Sequence, residues 1–258
     1  MNPQFLAAAL EKSAGKVGGR VSAYLQNPDD GEGVHDVRTS LRRLEAAFSL
    51  MPKKARRKNR AQIKAYKEFF RANSRVRDYD IIRGKLAGGA NARILAGVDR
   101  KRKAELLRAL RLARTVQALP ALDVKKIDGK KLDARADRVA SRLLSSIKKR
   151  LPAALADRED KEELHQLRKD LKKLRYVLEI LPASSKKGHE AKLAGLVRTG
   201  GPVAARLKEL QDLIGSIHDC DIAIDYLKTA RGTMVIRHKE IAERDALFEK
   251  FVKMFNSS

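Results

Sequence analysis

The stretch Val34–Leu50, VHDVRTSLRRLEAAFSL, returns at Leu164–Leu181 as LHQLRKDLKKLRYVLEIL, with His165 standing 130 residues after His35. In that register Arg38 meets Arg168, Leu41 meets Leu171, Arg42 and Arg43 meet Lys172 and Lys173, and Leu44 meets Leu174. At about 100° per residue, Val37, Leu41, Leu44 and Phe48 share one helical face, as do Leu167, Leu171, Leu174 and Leu178 in the second copy. His35, Arg38 and Arg42 fall roughly opposite, matched by His165, Arg168, Lys172 and Arg175. Each copy is predicted to be a helix that begins with a histidine and has one core face and one basic face. Solvated faces ordinarily interleave acids with bases for i,i+4 pairing. Here Glu45 is the only acid among the stripes, which points to an anionic partner.

Length and composition set the class. A chain of 258 residues can bury a sizeable core. Its 57 Lys plus Arg against 32 Asp plus Glu give a formal charge of +25. Self-repulsion on that scale weakens a compact state unless counterions or a polyanion offset it. A hydrophobic fraction of 43% excludes a merely basic disordered tail. The single cysteine, Cys220, excludes an internal disulfide framework. The first residues read poorly as a signal peptide, and no stretch approaches the ~18 apolar residues of a spanning helix. A cytoplasmic protein with no membrane contact is the expectation.

Strand signals are scarce, whereas Ala, Leu, Lys, Arg and Glu dominate, so the fold class is all-α. Helices are predicted from about Phe5 to Gln26, through the first motif to Pro52, from Arg56 to Arg77, onward to Leu86, and from Ala92 to Leu119. On the third of these, Arg57, Arg60, Lys67, Arg71 and Arg75 fall within about 60° of Lys64, a second cationic stripe. Gly88-Gly89 is an expected break. Residues 120–130, with Pro120 and Asp128-Gly129, form the expected linker between an N-terminal half, 3–119, and a C-terminal half, 131–256. In the second half a helix from about Leu132 to Leu151 carries Arg135, Arg138 and Arg142 on one side, and Pro152 is expected to end it. Pro182 to Gly188 reads as a loop, followed by a short helix near Lys192 and a break at Gly200-Gly201-Pro202. The next helix, with Lys208 facing Gln211 and Asp212, is expected to end at His218-Asp219-Cys220-Asp221-Ile222. That segment matches Arg77-Asp78-Tyr79-Asp80-Ile81 at an offset of 141 residues. A last helix covers about Met234 to Phe255 and mixes acids with bases.

At these residues the chain resembles the CHAD family, the conserved-histidine α-helical domain, whose signature is a histidine leading a helix of regularly spaced Arg and Lys, present twice. The resemblance spans nearly the full length, through His35/Arg38/Arg42/Arg43, His165/Arg168/Lys172/Lys173 and the Asp-x-Asp segments at Asp78 and Asp219. It implies two four-helix bundles related by pseudo-twofold symmetry, with basic helix faces lining a central cleft or pore. It further implies binding of inorganic polyphosphate, association with polyphosphate granules, no cofactor and no catalysis. One departure is His218 at the place of Arg77; another is a thinner cationic stripe in the helix before it.

Basic residues at i, i+3 or i+4, and i+7 stand about 5 and 10 Å apart along a helix, a ladder of donors for a linear polyanion. Arginine grips two phosphate oxygens at once, and lysine supplies a mobile point charge. The residues expected to hold the phosphate chain are His35, Arg38, Arg42 and Arg43 on the first motif helix, and Arg60, Lys64, Lys67, Arg71 and Arg75 on the next. In the second half they are Arg135, Arg138 and Arg142, then His165, Arg168, Lys169, Lys172 and Arg175, and finally Lys208. The histidines either cap this ladder and bond phosphate, or bond backbone at a helix start.

Two other functions fit parts of the sequence. Nucleic acid is a competing polyanion that the charge permits, but there is no Trp and aromatics are only 5%. His218-Asp219 resembles the dyad of HD-class metal phosphohydrolases. Acids in such segments more often cap amides or orient arginines, and Arg77 stands where a ligand would be needed. No metal site is expected, and Cys220 reads as a buried small side chain. Lys101, Arg102 and Lys103 read as solvated as readily as functional.

Overall fold

The computed structural model describes residues 3–87, 89, 92–124, 129–198, 201–230 and 232–256. Among the described residues the chain is helical throughout: α1 (Pro3–Gln26), α2 (Gly31–Leu50), α3 (Lys53–Lys58), α4 (Arg60–Leu86), α5 (Ala92–Gln117), α6 (Gly129–Ala156), α7 (Lys161–Ile180), α8 (Ala183–Leu196), α9 (Val203–Leu227) and α10 (Met234–Asn256). The expected breaks at Gly88, Asp128 and Gly200 lie outside the described residues, as does 125–128 of the expected linker. The fold class is all-α, and no described helix is long and apolar enough to cross a membrane.

Two compact units form, one of Met1–Asp80 with Gly97–Val139 and one of Ile81–Ala96 with Ala140–Ser258. In the first, α1 packs along α2. Val37, Leu41, Leu44 and Phe48 are buried as the period requires, beside Leu10, Tyr24 and Phe69. The rings of Phe48 and Tyr66 lie 5.9 Å apart, which fixes α4 against α2. In the second unit α9 packs on α10 and on α7, burying Leu167, Leu171, Leu174 and Leu178 with Ile214, Ile217 and Phe251.

Several helix boundaries differ from expectation, each for an identifiable reason. The third helix is divided by Asn59, whose buried amide donates to the carbonyls of Ala55 and Asp123 and accepts from the Asp123 N–H. Arg57 therefore sits on α3, apart from the α4 stripe. The Asp-x-Asp segments end nothing: α4 and α9 run on through them, because Asp80 and Asp221 turn their carboxylates sideways to arginines of later helices. Pro152 lies inside α6, where Ala153, Ala154 and Ala156 are strong helix formers and Ala154 is fully buried. Residues 183–188 are the first turns of α8, begun by Pro182, whose carbonyl accepts from the N–H groups of Ser185 and Lys186.

Candidate polyanion-binding site

The motif helices begin one turn before their histidines. Asp30 accepts from the N–H groups of Glu32 and Gly33, and Asp160, 130 residues later, from that of Glu163. Asp-x-x-Glu at 160–163 is a capping signature readable in the sequence. His35 thus stands on the second turn, exposed, with its Nε2 3.5 Å from the Thr39 hydroxyl. Partial desolvation of the ring by its neighbours, and then the nearby Arg77 guanidinium, hold its pKa below the ordinary histidine value.

In the first unit the α2 cations reach α4. The guanidinium carbons of Arg38 and Arg42 lie 5.5 and 5.1 Å from the centre of the Phe70 ring. Cation–π packing of this kind orients the guanidinium charge against the ring face. Phe70 is flanked on α4 by Lys67 and Arg71, so the basic face of α2 continues into the α4 stripe. Arg60, Lys67 and Arg71 are exposed, whereas Lys64 faces Glu68 at 3.8 Å and Arg75 faces Glu105 at 3.4 Å. Arg43 is half-buried on α2. Nothing in the sequence pattern marked Phe70 for a role beneath two arginines.

The second unit is built differently. His165 stacks on His218 with ring centres 4.6 Å apart, where the first unit has Arg77 near His35. Arg168 lies over α9, close enough that a Cβ at Gly215 would meet its Nε and Nη2 at 3.8 Å. Lys169 and Lys172 are half-buried. Arg175 is turned to its neighbours, donating to the Tyr176 hydroxyl at 3.2 Å and pairing with Glu179 at 3.5 Å. Lys208 pairs with Asp212 at 3.1 Å. On α6, Arg142 of this unit is exposed; Arg135 and Arg138 belong to the first unit, where Arg138 is exposed and the Arg135 Nε donates to the Ser49 carbonyl near the end of α2.

The acids of the repeated segments have structural partners. Arg102 donates to Asp80 at 2.6 Å and also reaches Asp29, so it is a half-buried clamp and not a solvated cation. Arg244 repeats the arrangement with Asp221 at 2.7 Å and the Arg158 carbonyl. Each arginine ties an Asp-x-Asp segment to the loop before a motif helix. Lys161 adds a second cation to Asp221 at 3.3 Å.

Among the described residues, the metal-ligating atoms that converge, within 4.8 Å, belong to Cys220, Glu240 and Glu243. Lys85 already places an ammonium there, 3.4 Å from Sγ, 3.1 Å from Glu240 and 2.7 Å from Glu243. Burial works against that charge, but the hydrogen bonds from Glu243 and Glu240 outweigh it and raise the Lys85 pKa. Burial pushes the Cys220 thiol up to about 11, which keeps it protonated.

With this geometry in hand, comparison with known proteins is informative. No curated protein sequence matches the chain. Among solved structures, the crystal structure of the CHAD domain from the plant Ricinus communis is similar, with a TM-score of 0.63 at 18% identity over 99% of this chain and 92% of that one. At that identity the likeness speaks for the fold. A model of the CHAD domain family matches residues 8–228, which takes in both motif helices and both Asp-x-Asp segments, and the chain therefore belongs to the CHAD domain family.

Proposed function

We propose that the chain binds inorganic polyphosphate along its basic helix faces and breaks no bond in it. Polyphosphate binding is a general property of the family. The observation that carries the reading is the seating of Arg38 and Arg42 over Phe70, beside the exposed α4 cations. This makes one broad donor surface from two helices, and a flexible chain of phosphates can track it at the 5–6 Å spacing of helix turns.

Two features favour polyphosphate over nucleic acid and hydrolysis. Among the described residues Phe5 is the only exposed aromatic, which leaves little platform for base stacking. The carboxylates of Asp80 and Asp221 are occupied by Arg102, Arg244 and Lys161. The same affinity would carry the chain to polyphosphate granules.

The test is calorimetric titration with polyphosphate over a salt series. Log affinity should fall linearly with log salt, and removing Arg38 and Arg42 as glutamines should flatten the slope by about 0.7–0.9 per lost contact. Single-stranded DNA displacing polyphosphate at equal phosphate concentration would refute the reading. So would orthophosphate release on adding Mg²⁺ or Mn²⁺.

A further inference from the structure

The first unit holds a groove of about 550 Å³ between α4 and α5, lined by Arg71, Arg75, Arg108 and Arg111, with Glu68, Ala72 and Leu112. That volume is within the ~300–1,000 Å³ of ordinary ligand clefts. Four guanidinium groups face one lining carboxylate, and Arg75 also pairs with Glu105. Both glutamates are half-buried, so their charge is fixed in place and leaves an excess of donors. Taking Phe70 as zero, Arg71 falls at about 100° and Arg75, Glu68 and Ala72 at about 140° to 200° around α4. The groove therefore opens on the flank of α4 beyond Arg71, which stands at the border between it and the surface of Arg38 and Arg42.

The duplication does not reproduce it. At the 141-residue offset between α4 and α9, Arg71 and Arg75 become Asp212 and Ser216. The clamp arginines Arg102 and Arg244 set an offset of 142 for α5 and α10, by which Arg108 and Arg111 become Lys250 and Lys253. Four guanidinium groups in one unit thus correspond to two ammonium groups, a carboxylate and a hydroxyl in the other. No packing requirement calls for four exposed arginines on two adjacent helices, whose mutual repulsion has to be offset by something anionic.

We propose that the α4–α5 groove is a separate binding station for a short condensed-phosphate segment, such as tripolyphosphate, present in the first unit and absent from the second. This rests on the polyphosphate reading above and gives it a second, discrete subsite. Paired arginines from facing helices can hold successive phosphates by two-point hydrogen bonds. With Ala72 and Leu112 as its only neutral walls, the groove offers nothing on which a base could stack.

The experiment titrates tripolyphosphate and long-chain polyphosphate into the full chain, the Arg108→Gln/Arg111→Gln variant, and the Arg100→Gln/Arg114→Gln variant. The last removes equal charge from exposed positions of α5 outside the groove. Circular dichroism and thermal melts establish that each variant is folded. The groove variant should bind tripolyphosphate about tenfold more weakly or worse, while the Arg100/Arg114 variant changes little and long chains keep most of their affinity through α2. Equal losses in the two variants would reduce the groove to general charge and overturn the proposal. Undiminished tripolyphosphate binding by the groove variant, or stronger displacement by a short oligonucleotide, would overturn it as well. If the unaltered chain bound no polyphosphate of any length, the broader reading itself would fall.

Discussion

His35 shows how one side chain couples folding to its ligand. Partial desolvation and Arg77 disfavour its protonated form in the folded chain, so the unfolded chain takes up that proton more readily. The group costs nothing well above pH ~6.5 and weakens folding progressively as pH falls below it. Urea unfolding of His35→Gln should therefore lose less stability between pH 7 and pH 5.5 than the unaltered chain. A bound phosphate reverses the preference, because imidazolium donates two hydrogen bonds and faces an anion. Polyphosphate binding near pH 6 should take up protons, seen as a dependence of titration heat on buffer ionisation enthalpy, and His35→Gln should diminish that uptake. The histidine itself was legible as a candidate. That Arg77 lies near enough to act on it here, and that His165 instead stacks on His218, depended on which turn of α4 or α9 each motif helix crosses.

At the scale of elements, the Asp–Arg clamps explain why two segments that read as helix ends lie within helices. Arg244 is nearly fully buried, and its removal would leave Asp221 with Lys161 alone. Arg244→Met should cost about 3–5 kcal/mol in urea unfolding, as breaking a buried pair does. Asp80→Asn should cost less, because Arg102 retains Asp29. Pro152 makes the opposite prediction. An interior proline costs ~3 kcal/mol, partly offset by about 1 kcal/mol through its stiffening of the unfolded chain. Pro152→Ala should therefore stabilise by about 2 kcal/mol and raise Tm. Core faces of α2 and α7 were readable because burial leaves a 3.6-residue period. The unbroken run of α4 and α9 through their Asp-x-Asp segments was not, because the arginines that hold those carboxylates lie far away in sequence.

For the whole molecule, a formal charge of +25 makes stability a function of its surroundings. Tm should rise as salt screens self-repulsion, and polyphosphate at about 100 times its Kd should add ~2.7 kcal/mol even in low salt. A melt that ignores both would argue against any basic surface held together at a cost. The sequence by itself determined the all-α class, the doubled motif helix, its buried face and the excess of cations, since periodicity and composition are local properties of a chain. Tertiary structure alone decided which cations are available. It turned Arg102, Arg244 and Arg135 inward to carboxylates and a carbonyl, set Arg38 and Arg42 over Phe70, and gathered Arg108 and Arg111 beside Arg71 and Arg75. An arginine's role follows from what the next helix places against it, and helix-to-helix packing joins residues that no sequence period connects.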